Sequence, residues 1–303
     1  MSGTFVATPS AGAHLFLEGI LNRFSTKRDA GAPAGAVLAA AAMLVATNVA
    51  AAPAPPTGRE VIAEAQARNG FATWRDRKSV VTLEGFDGAN HTTREAEVSE
   101  RTDPHGEHRE RFEYRSPDDF AGTRYLVVSP RHARQEWWIW TRAARRTRKL
   151  GGTYPGLQRD EIFFATDLSY SDLALLVRIQ QWTEADGDVR LEGDEPCGTG
   201  TCDRVKLVPA PDNEEFPCAS YRLWFTRDDR LLQRAELYDP DDRLMKTITC
   251  SSYFASGRYM TARSCEIEHV KTKTRSVITV REVTYDAGLG DDLFTIAHLS
   301  EGR

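Results

Sequence analysis

Tyr221-Arg-Leu-Trp-Phe-Thr-Arg-Asp-Asp-Arg-Leu-Leu-Gln-Arg-Ala-Glu-Leu-Tyr238 is the stretch of sequence that decides the fold. Tyr221, Leu223 and Phe225 recur at every second position, which is the period of a strand with one buried face. Asp228-Asp229 then supplies turn chemistry before a second strand at 231–238. Two strands joined by so short a turn predict an antiparallel pair.

The chain after this pair repeats the pattern. Leu244–Phe254, Tyr259–Val270 and Ser276–Tyr285 are predicted strands, separated by turns at 239–242 and 256–258. Strands do not alternate with long helices here, so a parallel sheet is not expected. The C-terminal half therefore reads as an antiparallel meander.

The N-terminal half carries a weaker version of the same pattern. Thr57 and Glu60 form a capping box for a predicted helix at 57–75, and a second short helix is predicted at 167–177. Five further strands are predicted, at Ser79–Phe86, Thr92–Arg101, Glu107–Tyr114, Thr123–Val128 and Glu136–Thr141. Nine to eleven strands and two helices, with no linker, predict a mainly β (α+β) domain built on a single curved antiparallel sheet.

The N-terminus has the parts of a secretory signal peptide. Lys27 and Arg28 precede an apolar run at 36–46, and the run ends in small residues at 50–52. The run is short and alanine-rich for a membrane span, although a retained anchor is the alternative. We expect an N-terminal extension and signal at 1–52, a Pro/Ala-rich tether at 53–58, one domain at 59–299 and a tail at 300–303. The 26 residues before the signal are unusual, and a mis-assigned start codon would explain them.

Composition limits the function. The 303 residues carry a net charge of −5 and a mean hydropathy of −0.47. A mildly acidic chain is not a general nucleic-acid binder, and no second membrane span is expected. We expect an exported monomer.

All five cysteines lie after residue 196, and an exported protein meets an oxidising compartment. Cys197 and Cys202 enclose a short flexible loop and are the first predicted disulfide. Cys250 and Cys265 are a second candidate pair, which leaves Cys218 as the remaining thiol. No C-x-x-C occurs and no His lies at ligand spacing, so neither a metal nor a cofactor is predicted.

No catalytic motif is present: G-x-S-x-G, a Walker loop and H-E-x-x-H are all missing from the sequence. The protein is therefore not expected to be an enzyme. The stretch from His105 through His108 to Glu110 superficially offers metal ligands, but its Pro104-His-Gly turn favours a solvated hairpin. Arg142, Arg145 and Arg146 are predicted to contact lipid headgroups or an acidic partner, and a solvated strand face is the alternative.

A sheet of ten strands has more apolar surface than two helices can fill. Either the sheet closes on a packed core, or it leaves a cavity for an apolar ligand. The predicted cavity residues are aromatic or aliphatic: Trp138, Trp140, Phe163, Tyr221, Leu223, Phe225 and Ile248. Their assignment to one face depends on strand parity, which the sequence leaves open.

Several motifs in order resemble one family. Phe112–Leu126, Trp138-Ile-Trp140 with the arginines after it, and Phe163–Leu173 are followed by Tyr221–Trp224 and Asp291–Thr295. Over about residues 60–299 the sequence resembles the outer-membrane lipoprotein-sorting proteins of the LolA-like superfamily. The resemblance implies an unclosed β-barrel lidded by helices. It also implies a carrier of lipid or lipoprotein acyl chains in the periplasm of a Gram-negative cell. Such a carrier works beside an RND-type inner-membrane transporter.

Two other functions are weighed against the carrier. The first is an RseB-like envelope sensor that binds a membrane partner. That branch has an extra C-terminal domain, and the end of this chain at Arg303 favours the carrier. The second is a hydrolase, which the lack of a visible nucleophile–base pair disfavours.

Overall fold

The computed structural model describes residues 55–68, 74–131, 133, 135–150, 179, 181–213, 216 and 218–301. The predicted export signal, Phe163 and the predicted helix at 167–177 lie outside these residues. Within them, no helix is long and apolar enough to cross a bilayer.

The described chain is built almost entirely of strands. Two α-helices, α1 (Gly58–Arg68) and α2 (Ile296–Glu301), lie near its ends, and Glu184–Asp186 and Asp291–Phe294 are short 3₁₀ helices. The strands are β1 (Asp76–Asp87), β2 (Asn90–Thr102), β3 (His108–Ser116), β4 (Arg124–Ser129), β5 (Glu136–Thr141), β6 (Arg146–Leu150), β7 (Gly187–Cys197), β8 (Gly200–Pro209), β9 (Ser220–Thr226), β10 (Leu232–Tyr238), β11 (Leu244–Ser251), β12 (Phe254–Ser256), β13 (Tyr259–Thr261), β14 (Ser264–His269) and β15 (Thr274–Tyr285).

Thirteen strands form one antiparallel sheet in the order β6-β5-β4-β3-β2-β1-β15-β14-β11-β10-β9-β8-β7, and β12 pairs with β13 in a separate hairpin. The first and last strands of the chain, β1 and β15, pair at the middle of the sheet. Among the described residues the edge strands are β6 and β7, and they do not pair with each other. The predicted single antiparallel sheet and unclosed barrel are therefore confirmed.

The sequence-based strand assignment was incomplete. It omitted β6, β7 and β8, and it joined β13 and β14 into one strand at 259–270. The predicted helix at 57–75 is also too long, because α1 ends at Arg68 and Trp74 lies outside it.

Helix α1 begins with the predicted capping box. The Glu60 carboxylate accepts a hydrogen bond from the Thr57 backbone N–H at 2.6 Å, and the Glu60 N–H donates to the Thr57 hydroxyl at 3.3 Å. Gly58 follows the cap and packs on β7. A Cβ there would lie 2.7 Å from the Arg190 carbonyl carbon, so a side chain would push the helix away from the strand. The capping box and this glycine together set where α1 starts.

One face of the sheet, here called the inner face, carries a single apolar core. Strands from both edges contribute to the same cluster, so the sheet curves around it. Val61, Ile62 and Ala65 of α1 pack against it. Each strand supplies at least one side chain: Val81, Val98, Phe112, Val127, Ile139, Leu150, Leu191, Val205, Leu223, Leu237, Ile248, Ile267 and Ile278.

The opposite, outer face carries a smaller apolar cluster beneath α2. Leu299 of α2 and Phe294 bury themselves against Leu126, and Trp138 and Trp140 pack beside them. The Arg124 guanidinium donates to the Leu299 carbonyl at 2.8 Å and fixes the end of the helix. The C-terminus thus packs on the sheet from outside.

Both predicted disulfides are present. Cys197 and Cys202 join β7 to β8 across their turn, and Cys250 and Cys265 lie directly opposite each other on β11 and β14. Cys218 is a buried thiol outside both bonds, as predicted.

Candidate functional site

The inner face brings together four of the predicted cavity residues. Tyr221, Leu223 and Phe225 project from β9, Ile248 projects from β11, and all four are buried in the main core. Their alternation along β9 matches the predicted period. Strand β10 lies between these two strands, and its Ala235 and Leu237 belong to the same core, so the apolar patch is continuous. Phe163, which was also predicted to line the cavity, lies outside the described residues.

The face assignment of Trp138 and Trp140 was wrong. Both belong to the outer-face cluster beneath α2, whereas Trp137 and Ile139 of the same strand point into the inner core. A strand that is apolar on both faces gives no parity signal in the sequence. The inner-face residues of β5 are therefore Trp137 and Ile139.

Helix α1 is held over the inner face by an ionic network. The Arg230 guanidinium donates to Glu64 of α1 at 2.6 Å and also to Asp203 of β8. Arg227 donates to the same Asp203 carboxylate at 2.6 Å, and Arg68, the last residue of α1, donates to the Asp228 carbonyl at 2.8 Å. The turn between β9 and β10 is thus fastened to the helix that packs on the inner face over β7 and β8.

Asp203 lies at the centre of this network and is 1% exposed. Burial acts to raise the pKa of its carboxyl, but hydrogen bonds and charge from Arg227 and Arg230 outweigh burial and hold the pKa below its usual value. The carboxylate therefore stays ionised at neutral pH and keeps both arginines in place.

The predicted basic contact residues lie on the connection between β5 and β6. Arg142, Arg145 and Arg146 are exposed, and their side chains form no ion pair with any described residue. In the same hairpin, Lys149 pairs with Glu136 at 2.8 Å and lies over the Trp138 ring. The three arginines therefore present positive charge at the surface of one edge of the sheet.

The outer face of β7 to β10 forms an open polar groove. Its lining is mostly charged and internally paired: Glu192, Arg204, Arg222, Trp224, Glu236 and Tyr238. Arg222 donates to Glu192 at 3.0 Å, and the Trp224 indole donates to Glu195 at 2.6 Å. Such a surface does not suit an acyl chain, which leaves the inner face as the candidate site.

The burial of His108 and Glu110 was misjudged from the sequence. His108 and Glu110 are not part of a solvated hairpin, because they are 1% and 5% exposed. Only the turn before them is at the surface, where Gly106 adopts φ +82°. Both residues share the parity of Phe112, so they point to the inner face. The Pro104-His-Gly turn indicated a solvated hairpin, but only the turn itself is at the surface, and the strand after it enters the core.

Three solved structures are similar in fold over 80% of this chain. A DUF1329 family protein from Desulfovibrio piger matches with a TM-score of 0.70 and 23% identity, over 98% of that chain. A domain described as an outer membrane lipoprotein-sorting protein, from Vibrio parahaemolyticus, matches with 0.68 and 17%, over 97% of that chain. A LolA superfamily protein from Nitrosomonas europaea matches with 0.57 and 13%, over 98%.

These likenesses and the open thirteen-stranded sheet define the class: the protein has a LolA-like fold. No curated protein matches the sequence. A family model described only as an uncharacterized protein matches residues 106–301, and the chain belongs to that family.

Proposed function

We propose that this protein is a periplasmic carrier that binds the acyl chains of lipids or lipoproteins on the inner face of its sheet. The observation that carries the proposal is the inner face itself. Thirteen strands turn apolar side chains to one side, and the sheet does not close over them. An acyl chain laid on this face gains about 25 cal/mol for each Å² of apolar surface removed from water.

Burial of apolar surface alone supplies the binding energy in this proposal, and no covalent step is needed. In the structure the inner face is covered in part by α1, whose apolar residues occupy the place of a ligand near β7 and β8. We infer that α1 moves when an acyl chain enters, and that the network around Arg230 resists this motion. A covered, ligand-free face also keeps a large apolar surface from aggregating.

Export is supported by the two disulfides, which persist in an oxidising compartment, and by the signal-like segment at 36–52. The exposed arginines at 142, 145 and 146 suit the anionic headgroup of a bound lipid or an acidic partner protein. By resemblance to LolA-like proteins, the partner in the inner membrane is an RND-type transporter. Of the proposed steps, acyl-chain binding is the one on which the others depend.

Native mass spectrometry tests this step. The protein is purified from the envelope of its own cell without detergent and sprayed intact. We expect a population heavier than the chain by one lipid or lipopeptide, which dissociates on collisional activation. The delipidated protein should then bind a fluorescent fatty acid with a stoichiometry near one. The proposal would be contradicted if the purified protein carried no lipid and then bound no fatty acid.

A further inference from the structure

Two buried carboxylates face each other on the inner face of the sheet. Glu100 of β2 and Glu110 of β3 are directly paired across the two strands and are 3% and 5% exposed. Like charges opposite each other destabilise a strand pair, and burial adds a desolvation penalty. A positive species is needed between or beside them.

Arg77 meets only part of this need. Its guanidinium, on the neighbouring strand β1, pairs with Oε2 of Glu100. Oε2 of Glu110 is buried and has no hydrogen-bond partner among the described residues. Glu100 therefore has a direct ion pair with Arg77, whereas the charge of Arg77 reaches Glu110 only from a distance.

His108 completes the cluster. Its Nε2 atom lies 3.7 Å from Oε1 of Glu110 and 3.9 Å from Oε1 of Glu100. On the other side of the ring, Nδ1 lies 2.9 Å from the Thr102 hydroxyl. When Nδ1–H donates to that hydroxyl, Nε2 keeps its lone pair and faces both carboxylates. The Trp74 ring packs edge-on to the imidazole at 6.1 Å and helps to exclude water.

We propose that Glu100, His108 and Glu110 bind a divalent transition-metal ion of the Zn²⁺ type. One ligand atom from each residue lies within 4.8 Å of the other two. One imidazole and two carboxylates form a donor set that suits such ions. Two ligands of one tetrahedral Zn²⁺ are about 3.4 Å apart for bonds of about 2.1 Å. The observed 3.7 and 3.9 Å thus need to close by only a few tenths of an ångström.

The charges also favour a cation. Two ionised carboxylates and Arg77 leave one negative charge in a buried space, which a divalent ion with a bound hydroxide neutralises. A proton on Glu110 is the competing solution, and burial raises the pKa of Glu110 to about 7. The two alternatives are distinguishable, because the first requires a bound metal ion and the second requires only a proton.

The test uses tag-free protein that has been treated with a chelator and then titrated with Zn²⁺ in a calorimeter. We expect one equivalent to bind to the native chain. Glu110→Gln removes an anionic ligand, and we expect its affinity to fall at least about 100-fold, beyond the loss typical of outer-shell changes. Glu95→Gln is the matched control, because Glu95 lies on the opposite face of β2 and its side chain is 41% exposed. It should bind like the native chain.

A second measurement needs no variant and covers the case in which Glu110→Gln fails to fold. Zinc-edge X-ray absorption of the native complex should show nitrogen and oxygen ligands without sulfur. The proposal is overturned by a native chain that binds no equivalent of Zn²⁺, by equal binding to Glu110→Gln, or by sulfur in the coordination shell, which would implicate Cys218. None of these results bears on acyl-chain binding.

Discussion

The Arg230 guanidinium donates to the Glu64 carboxylate at 2.6 Å and so joins α1 to the turn between β9 and β10. Arg230 is 5% exposed, and its second partner, Asp203, belongs to the sheet. One side chain therefore bridges the covering helix and the strand beneath it. In the carrier account, this bridge controls how readily α1 uncovers the inner face.

Loosening the bridge should speed ligand exchange. Glu64→Gln removes the charge on the helix side and leaves the buried Arg230–Asp203 pair intact. Because the Glu64 side chain is 42% exposed, we expect a loss of stability below about 1 kcal/mol. Dissociation of a fluorescent fatty acid, followed by stopped flow, should become several-fold faster. Asp188→Asn, which breaks an exposed ion pair with Arg190 on β7, should leave the rate unchanged.

Removing the sheet side of the bridge should be far more damaging. Asp203→Asn leaves two arginines around a neutral side chain, and breaking a buried pair in this way typically costs about 3 kcal/mol. Urea unfolding at pH 7 measures the loss. A change below about 1 kcal/mol would show that the network contributes little to the fold.

The same carboxylate predicts a pH dependence. Because the folded pKa of Asp203 is lowered, its contribution is complete above the unfolded pKa of about 4 and is lost as the pH falls through the folded value. The native protein should therefore lose stability below pH 4 more steeply than Asp203→Asn. Parallel curves for the two proteins would contradict the assignment.

The two disulfides should differ in their contribution to stability. The bond between Cys250 and Cys265 spans 15 residues and the bond between Cys197 and Cys202 spans 5. The chain-entropy model then gives about 3 kcal/mol for the longer loop and about 2 kcal/mol for the shorter one. Double Cys→Ser variants, compared by urea unfolding, should show this order. The reverse order would mean that native packing, not loop closure, dominates.

The outer-face position of Trp138 and Trp140 is testable through α2. Leu299→Asp places a carboxylate in the apolar cluster beneath the helix, so α2 should detach and the tryptophan emission should shift to the red. Ile296→Asp is the matched control, because Ile296 lies on the same helix and is 46% exposed. Acyl-chain binding should survive both changes. A loss of binding in Leu299→Asp alone would link α2 to the ligand site.

Regular alternation made most of the sheet predictable. The strands from Tyr221 onward repeat apolar residues with a period of two, β1 to β5 show a weaker strand pattern, and the structure contains both groups. In contrast, β7 reads Gly-Asp-Val-Arg-Leu-Glu-Gly-Asp-Glu-Pro-Cys, with two glycines and a proline, and local propensity alone does not favour a strand. Pairing with β8 along its length stabilises it instead.

The site was less predictable because faces and burial are tertiary properties. Tyr221, Leu223 and Phe225 share one buried face, as their alternation predicted, and their role in ligand binding stays a prediction. The face of Trp138 was predicted wrongly, because Trp137 beside it is equally apolar. His108 and Glu110 were predicted to be exposed to solvent. A polar strand residue that is buried beside a partner cannot be told from an exposed one by sequence alone.

Quenching by a brominated fatty acid tests the central claim most directly, because bromine quenches only tryptophans that it nearly touches. Trp137 and Trp138 are neighbours on β5 that point to the inner and outer faces. If acyl chains bind on the inner face, Trp137→Phe should reduce the quenched fraction of the emission. Trp138→Phe, which removes an unquenched residue, should raise it. Loss of quenching in Trp138→Phe with none in Trp137→Phe, or no quenching of the native protein, would contradict the account.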